Sequence, residues 1–204
     1  MAQCRFTPPV RRYAAYLFDC DGTLVDSMQV HFHAWRHALD GQDPPFDFDW
    51  QLFLSRAGMP AKQTVLELNA QFGCSLDPAQ IVPLKDSYFK RLQPTLQPIS
   101  EVVDFARQVA SFAPLAVASG GARVEVQRSL RLVGILDLFQ CLICAEDVVR
   151  GKPDPEVFLE CARRLGVASR QCLVVEDGES GILAAKAAGM DCVVVGPVEP
   201  SPVP

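Results

Sequence analysis

Short, continuously apolar segments alternate with helical segments along most of this chain, and that alternation limits the possible folds more than any other feature. The apolar segments lie at residues 14–18, 115–118, 141–144, 172–175 and 192–195. Because polar residues do not alternate with apolar ones in them, both faces of each predicted strand must be buried. Helical patterns connect these segments from residue 99 onward. The sequence therefore predicts an α/β fold with a doubly wound parallel sheet.

The stretch between the first and second apolar segments has a different pattern. From Asp26 to Gln97, apolar residues recur at helical spacing and are interrupted by proline, glycine and aspartate. The spacing predicts helices at residues 27–40, 49–57, 61–72 and 77–92. We therefore expect a catalytic core made of residues 1–25 and 98–204, with a helical cap domain inserted at residues 26–97.

Composition and charge limit the partners of this chain. Hydrophobic residues make up 49% of the 204 positions, which is sufficient for a packed core. The 24 acidic residues outnumber the 19 basic ones and leave a net charge of −5, whereas a nucleic-acid binder needs a basic face. No apolar run approaches the roughly 20 residues of a membrane helix. We expect a cytoplasmic protein, a monomer or weak dimer, that binds a small phosphorylated metabolite without nucleic-acid or membrane partners.

The eight cysteines do not form a pattern typical of zinc sites. Cys141 and Cys144 are the one C-x-x-C pair, and no second pair or nearby histidine completes a ligand set. An offset of three places the two side chains on opposite faces of a strand, so their sulfur atoms point apart. We interpret the cysteines as small buried apolar residues of a reducing compartment.

Polar residues follow four of the predicted strands. In chain order they are Asp19 and Asp21, then Ser119 and Gly120, then Lys152, then Glu176 and Asp177. Because the carboxyl ends of parallel strands meet at one edge of a sheet, we expect these residues to share a site. Carboxylates are the ligands that Mg²⁺ prefers, and a cation offsets the repulsion among crowded carboxylates. The sequence therefore predicts a magnesium site at Asp19, Glu176 and Asp177.

This set of residues is suited to phosphoryl transfer. With the charge of a phosphate neutralised by Mg²⁺ and Lys152, Asp19 would attack phosphorus and form an aspartyl-phosphate. Ser119 would bind a phosphoryl oxygen in a loop typical of a turn or an anion-binding nest. Asp21 would protonate the leaving alcohol and later activate water. Taken singly, each of these motifs is also typical of an ordinary turn, loop or helix N-cap.

Four segments in this order carry a family resemblance. They are F-D-C-D-G-T-L-V-D-S, A-S-G-G, G-K-P-D-P and V-V-E-D-G-E-S-G-I. Together they resemble the haloacid dehalogenase-like (HAD) hydrolase superfamily over residues 13–195. The insert directly after the first motif is similar to the branch that contains β-phosphoglucomutase and sugar-phosphate phosphatases such as fructose-1-phosphatase.

The resemblance implies a role for each strand-end residue. It implies that Asp19 is the nucleophile and a Mg²⁺ ligand, and that Asp21 is the acid/base with its backbone carbonyl on the metal. It implies that Ser119, Gly120 and Lys152 contact the phosphate, that Glu176 and Asp177 bind the metal, and that the insert is a mobile cap. Gly178 departs from the serine that relatives usually carry there, and Ser180 is a candidate to support the acidic pair in its place.

Two functions remain open at this stage, a phosphatase acting on a small phosphorylated sugar or alcohol and a hexose-phosphate mutase. A mutase cap needs positive charge for a second phosphate, but residues 26–96 carry six basic and eight acidic residues. Ala61 stands where the phosphoglucomutases carry an arginine three residues after a cap glycine. These features favour the phosphatase. The resemblance, with Asp21 and the acidic pair both present, argues against a dehalogenase or a non-catalytic phosphoacceptor.

Residues of the insert are candidates for contact with the leaving group. His31 and Trp35 are one turn apart on a predicted helix, as in phosphoglucomutase-like relatives, and this keeps the mutase open. An equally good interpretation is that Trp35 packs the helix and His31 lies at its edge. Lys62 follows the cap glycine Gly58 by four residues. We expect His31 and Lys62 to contact substrate.

Overall fold

The computed structural model of the chain describes residues 6–196. Its strands are β1 (Ala15–Phe18), β2 (Val25–Asp26), β3 (Gln97–Pro98), β4 (Leu115–Ala118), β5 (Cys141–Ile143), β6 (Cys172–Glu176) and β7 (Asp191–Val194). Its α-helices are α1 (Met28–Asp40), α2 (Trp50–Leu54), α3 (Ala61–Phe72), α4 (Pro78–Leu92), α5 (Ser100–Ala110), α6 (Arg123–Leu132), α7 (Glu156–Leu165) and α8 (Glu179–Ala187).

Five parallel strands form the main sheet in the order β5-β4-β1-β6-β7. The first strand is central, with Leu17 beside Ala116 of β4 and Val174 of β6. The chain builds one side of the sheet through β4 and β5 and then crosses β1 to build the other. The carboxyl ends of β4 and β6 therefore flank that of β1, which is where α/β sheets bind ligands. The predicted doubly wound parallel sheet is confirmed.

Each face of the sheet packs against a pair of helices. Phe18 belongs to the core formed with α5 and α6, and the adjacent Leu17 to the core formed with α7 and α8. Cys144 lies in the first core and Cys141 packs against the second, so the C-x-x-C sulfur atoms do diverge as predicted. The seven cysteines among the described residues are free thiols, and Cys4 lies outside that range.

Helices α1 to α4 occupy the insert between β2 and β3. Trp35, Phe53, Leu68 and Ile81 contribute to a third hydrophobic cluster within it. The strands β2 and β3 form an antiparallel ribbon where the chain leaves and re-enters the core. The sequence analysis did not predict this ribbon, because strands of two residues are too short to show a periodic pattern. The ribbon pairs Asp26 with Gln97, the two residues at which the sequence predicts the boundaries of the insert.

Two helices differ in extent from the prediction. Helix α2 ends at Leu54 instead of residue 57, because residues 55–60 form a loop in which Gly58 adopts φ +82°, a conformation favourable to glycine. Helix α8 begins at Glu179, three residues before Ile182, where the apolar spacing predicts its start, and acidic residues stabilise the first turn of a helix. Within residues 6–196, no helix combines the length and apolar character needed to cross a membrane.

Candidate active site

A cavity of about 270 Å³ lies between the carboxyl edge of the sheet and the helices of the insert. The residues predicted from the sequence that line it are Asp19, Asp21, His31, Lys62, Ser119, Gly120, Glu176 and Asp177. The structure thus brings together residues from three strand ends and two helices of the insert. The seventh core residue of the prediction, Lys152, is buried and does not line the cavity.

Lys152 connects the nucleophile candidate to the acidic pair. Its Nζ atom donates to Asp19 Oδ1 at 2.6 Å, to Glu176 Oε1 at 2.6 Å and to the Ala118 carbonyl at 3.0 Å. Since an ammonium group has three N–H donors, these partners use all of them. Burial opposes a charge on this side chain, which is 1% exposed, but the two carboxylates raise the pKa of Lys152 above its usual value. Lys152 is therefore a charged residue that fixes Asp19 in position.

Asp19, Glu176 and Asp177 form the acidic cluster of the site, with one oxygen from each lying within 4.8 Å of the others. Burial, together with the charge of Glu176, raises the pKa of Asp177 to about 7, although Thr23 donates to Asp177 Oδ1 at 2.8 Å. Three carboxylates face a single lysine here, so negative charge is in excess. Buried, oxygen-only donors with excess negative charge fit a hard divalent cation.

The Asp21 side chain lies outside this acidic cluster. Its Oδ1 atom accepts a hydrogen bond from Ser27 Oγ at 2.7 Å and lies 3.1 Å from His31 Nε2. Burial raises the pKa of Asp21, but the contacts with His31 and Ser27 outweigh it and lower this pKa to about 2. Burial lowers the pKa of His31. The Asp21 carboxylate is therefore ionised and oriented by two residues at the start of the insert.

Ser119 and Gly120 form the turn after β4. The backbone N–H of Gly121 donates to Ser119 Oγ at 3.0 Å, as in the predicted turn, and leaves the hydroxyl proton able to point to a ligand. Gly120 lies against the loop of the insert, because a Cβ atom at this position would be 2.4 Å from the Gly58 carbonyl oxygen. The backbone of that loop therefore approaches the turn after β4 more closely than any side chain at residue 120 would allow.

The family model described as haloacid dehalogenase-like hydrolase matches residues 16–195, which is most of the chain. The chain belongs to the haloacid dehalogenase-like hydrolase family. It is 35% identical over 188 residues to fructose-1-phosphate phosphatase YqaB of Escherichia coli strain K12, across 90% of this chain and 97% of the relative. The protein is thus an enzyme of the HAD-like phosphatase family, as predicted.

Two further comparisons place the chain within the HAD family. It is 29% identical over 194 residues to β-phosphoglucomutase of Bacillus subtilis strain 168, across 91% of this chain and 84% of that protein. The crystal structure of a hydrolase from Pseudomonas syringae superposes with a TM-score of 0.80 at 24% identity, over 88% of this chain and 83% of that one. The relatives include both a phosphatase and a mutase, and the structural likeness confirms the fold.

His31 and Lys62, the two predicted substrate contacts of the insert, have different surroundings from each other. The His31 ring stacks on Phe89 with centroids 4.0 Å apart and points Nε2 at Asp21, so it is not a residue at the edge of a packed helix. Lys62 is exposed at the rim of the cavity, in the first turn of α3. His31 thus contacts Asp21 of the core directly, whereas Lys62 lines the cavity as an exposed residue of the insert.

Lys85 is a cavity residue that the sequence analysis missed. It lines the cavity from α4, is 9% exposed and lies 3.2 Å from Asp86 Oδ1. A signal was available, because Ile81, Lys85 and Phe89 follow one another at intervals of four on the buried face of a helix. A lysine in such a stripe indicates a charge that faces a cavity or a partner.

Ser180 does not support the acidic pair. Its Oγ atom donates to the Ala57 carbonyl at 2.7 Å and thereby binds the loop of the insert to the start of α8. The acidic pair is supported from elsewhere, since the backbone N–H of Gly178 donates to Glu176 Oε2 at 2.6 Å. The glycine that departs from the family pattern therefore supplies a backbone donor.

Proposed function

We propose that this HAD enzyme is a Mg²⁺-dependent phosphomonoester hydrolase that acts on a small phosphorylated sugar or alcohol through an aspartyl-phosphate. The observation that carries the proposal is the position of Asp19, which is fixed by Lys152 at the cavity floor beside a buried acidic cluster. Asp21 lies two residues further on and faces the same cavity. The 35% identity to a fructose-1-phosphate phosphatase supports this substrate class.

In the first step, Asp19 attacks phosphorus, and the bond between phosphorus and the leaving oxygen breaks. Bound Mg²⁺ would neutralise the charge of the phosphoryl group, with Asp19, Glu176, Asp177 and the Asp21 backbone carbonyl as its protein ligands. Ser119 donates a hydrogen bond to a phosphoryl oxygen. Lys152 offsets the negative charge of Asp19 and holds its carboxylate in one orientation, so the nucleophile does not have to be ordered during the reaction.

Asp21 serves the two steps in different protonation states. Its low pKa keeps it ionised in the free enzyme, which is the state that removes a proton from water in the second step. A substrate phosphate brings negative charge next to Asp21, and a like charge raises the pKa of a carboxyl group. Substrate binding therefore favours the protonated form that donates to the leaving alcohol.

Asp21→Asn is expected to lower turnover of an alkyl phosphate by about 10²- to 10⁴-fold, because it removes proton transfer to the leaving group and from water. An aryl phosphate has a good leaving group and depends on Asp21 less in the first step. Phosphorylated enzyme is therefore expected to accumulate with the aryl substrate. Acid quench followed by mass spectrometry measures it. Slow turnover of both substrates with no trapped phosphoenzyme would contradict the double role.

Residues 26–97 are proposed to act as a cap that closes over the substrate. The loop at residues 57–60 already contacts the core through Ser180 and Gly120.

A mutase remains the alternative function. Two observations favour it: Lys85 is buried and lines the cavity, and the chain is similar to a β-phosphoglucomutase. Cytoplasmic location and a monomeric or weakly dimeric state stay predictions.

The charge of the insert favours the phosphatase over the mutase. Residues 26–96 have more acidic than basic residues, and Asp86 lies next to Lys85 and reduces its attraction for a second phosphate. Three of the five N–H groups of Arg56 donate within the insert, to the Leu52 carbonyl at 3.3 Å, to Ser55 Oγ at 2.7 Å and to Gln71 Oε1, while its buried Nε–H has no partner among the described residues. A second phosphate binds best to a guanidinium that offers it two parallel N–H groups, and Arg56 has most of its donors engaged elsewhere.

Phosphate release from an aryl phosphate, with Mg²⁺ and with EDTA, tests the proposed function. We expect release with Mg²⁺ and its loss in chelator, because Asp19 and the phosphate then repel each other without a cation between them. Restoring Mg²⁺ should restore the rate. Full turnover in EDTA would contradict the metal-dependent mechanism. Isomerisation of glucose 1-phosphate, primed with a bisphosphate and faster than phosphate release, would instead establish the mutase.

A further inference from the structure

Gly181 is a helical glycine that the proposed mechanism does not use. It is buried in the first turn of α8. Its backbone is not in the left-handed region, so an alanine could adopt the same conformation. Because alanine is favoured over glycine inside a helix, the glycine makes α8 less stable than it could be. The reason for a glycine here must therefore lie in the space around it.

The Glu176 side chain occupies the place that a side chain at residue 181 would need. A Cβ atom at Gly181 would be 2.7 Å from Glu176 Cγ and closer still to its carboxyl carbon and Oε1, and these are the three heavy atoms nearest to it. Carbon atoms in ordinary contact are about 3.5–4.0 Å apart. Even the smallest side chain at this position would therefore displace the Glu176 carboxyl group.

The Glu176 carboxyl group is also held from two other directions. It is 2% exposed, its Oε1 atom accepts from Lys152 Nζ at 2.6 Å, and its Oε2 atom accepts from the Gly178 N–H at 2.6 Å. From this place, one of its oxygens lies within 4.8 Å of oxygens of Asp19 and Asp177. A carboxyl group pushed away from Gly181 would lose one of these hydrogen bonds, its place in the acidic cluster, or both.

Asp177, the other member of the acidic pair, lies against a glycine as well. A Cβ atom at Gly22 would be 2.9 Å from Met28 Cγ and closer still to the Asp177 carboxylate. Gly22 adopts φ +86°, however, so any substitution there would also strain the backbone. Gly181 is free of that complication. An alanine at residue 181 therefore tests the space for a metal-binding carboxylate without a change in backbone strain.

We propose that Gly181 is a positioning residue of the metal site, which leaves room for the Glu176 carboxylate to bind a divalent cation together with Asp19 and Asp177. This inference rests on the Mg²⁺ site of the proposed function and adds a residue that does not touch the metal. Changes at residues that hold metal ligands in place cost about 10- to 100-fold in metal affinity. In Gly181→Ala, we expect the Kd for Mg²⁺ to rise by that factor in calorimetry, or the heat of binding to vanish.

A double-mutant cycle with Glu176→Ala, measured in EDTA, tests the contact without a metal. Gly181→Ala should lower the thermal unfolding midpoint of the wild type, because Glu176 must leave its place. In the Glu176→Ala background it should not lower the midpoint, since the displaced group is absent and alanine is favoured in a helix. If Gly181→Ala alone does not fold, the double variant should still fold as Glu176→Ala does. An equal decrease in both backgrounds would show that Gly181 serves only the packing of α8 and would overturn the proposal.

Gly41→Ala is the matched control. Gly41 is exposed, has φ −79°, and a Cβ atom there would meet no heavy atom within 4 Å in the described part of the chain beyond its neighbours in sequence. It should leave the Kd for Mg²⁺ unchanged. The Mg²⁺ concentration for half-maximal phosphate release should rise in Gly181→Ala and stay at the wild-type value in Gly41→Ala.

The same measurements separate this inference from the proposed function. A folded Gly181→Ala enzyme that binds Mg²⁺ as tightly as the wild type would overturn the role of Gly181 and leave the phosphatase standing. A wild type that binds Mg²⁺, loses affinity in Gly181→Ala and releases no phosphate from an aryl phosphate would support the role of Gly181 and overturn the proposed function. A wild type that binds no Mg²⁺ would overturn both the inference and the metal dependence of the proposed mechanism.

Discussion

Asp19→Asn is expected to lower phosphate release by about 10⁴-fold or more, because an amide cannot form the aspartyl-phosphate. The substitution keeps the size of the side chain and an oxygen that can accept from Lys152, so the buried surroundings should persist. The measurement is steady-state phosphate release from an aryl phosphate with saturating Mg²⁺. Incubation of the wild type with substrate should also give a quenchable phosphoenzyme that the variant lacks.

Asp104→Asn is the control for this experiment, since it makes the same chemical change at a side chain that is 75% exposed and lies on α5. It should retain wild-type turnover. The thermal unfolding midpoints of both variants, compared with that of the wild type, show whether a loss of activity is caused by unfolding. An Asp19→Asn enzyme that keeps a tenth of the wild-type rate would show that another group is the nucleophile.

The sheet and its polar edge were predictable because their signals are local. Buried parallel strands need continuous apolar residues, and each of the five strands of the main sheet begins and ends within one residue of its predicted limits. The strand-end position of Asp19 and Ser119 then followed from topology, because parallel strands place their carboxyl ends at one edge. Sequence order and strand polarity therefore sufficed to bring the core residues together.

Contacts between the insert and the core were not predictable, because they depend on how two separately packed parts meet. The approach of Gly58 to Gly120 and the hydrogen bond from Ser180 to Ala57 join residues more than 60 positions apart. No periodicity encodes such distances. The contacts of the His31 side chain could not be predicted for the same reason. The spacing indicates which face of the helix carries His31, but it does not indicate which residue of the core faces it. Lys152 was expected at the phosphate, whereas its three N–H groups are bound to protein acceptors.

Lys152→Met is expected to lower kcat/KM by about 10²- to 10³-fold, and by the same factor for every substrate. Lys152 contacts Asp19 and Glu176 instead of the leaving group, so substrates that differ only in the alcohol should be affected equally. Removing one partner of a buried ion pair also costs about 3–5 kcal/mol of folding stability. Lys186→Met, at an exposed position in the last turn of α8, is the control for both readouts.

The pH dependence of Lys152→Met separates a positioning role from a general loss of structure. Burial raises the pKa of Asp19, and Lys152 is the largest influence that opposes this rise. Without Lys152 the pKa of Asp19 rises further, and the protonated carboxyl group is not a nucleophile. The acidic limb of the rate profile should therefore move to higher pH, so that raising the pH recovers part of the lost rate while the enzyme stays folded. An acidic limb at its wild-type position, or a loss that varies with the leaving group, would show that Lys152 acts on the substrate and not through Asp19.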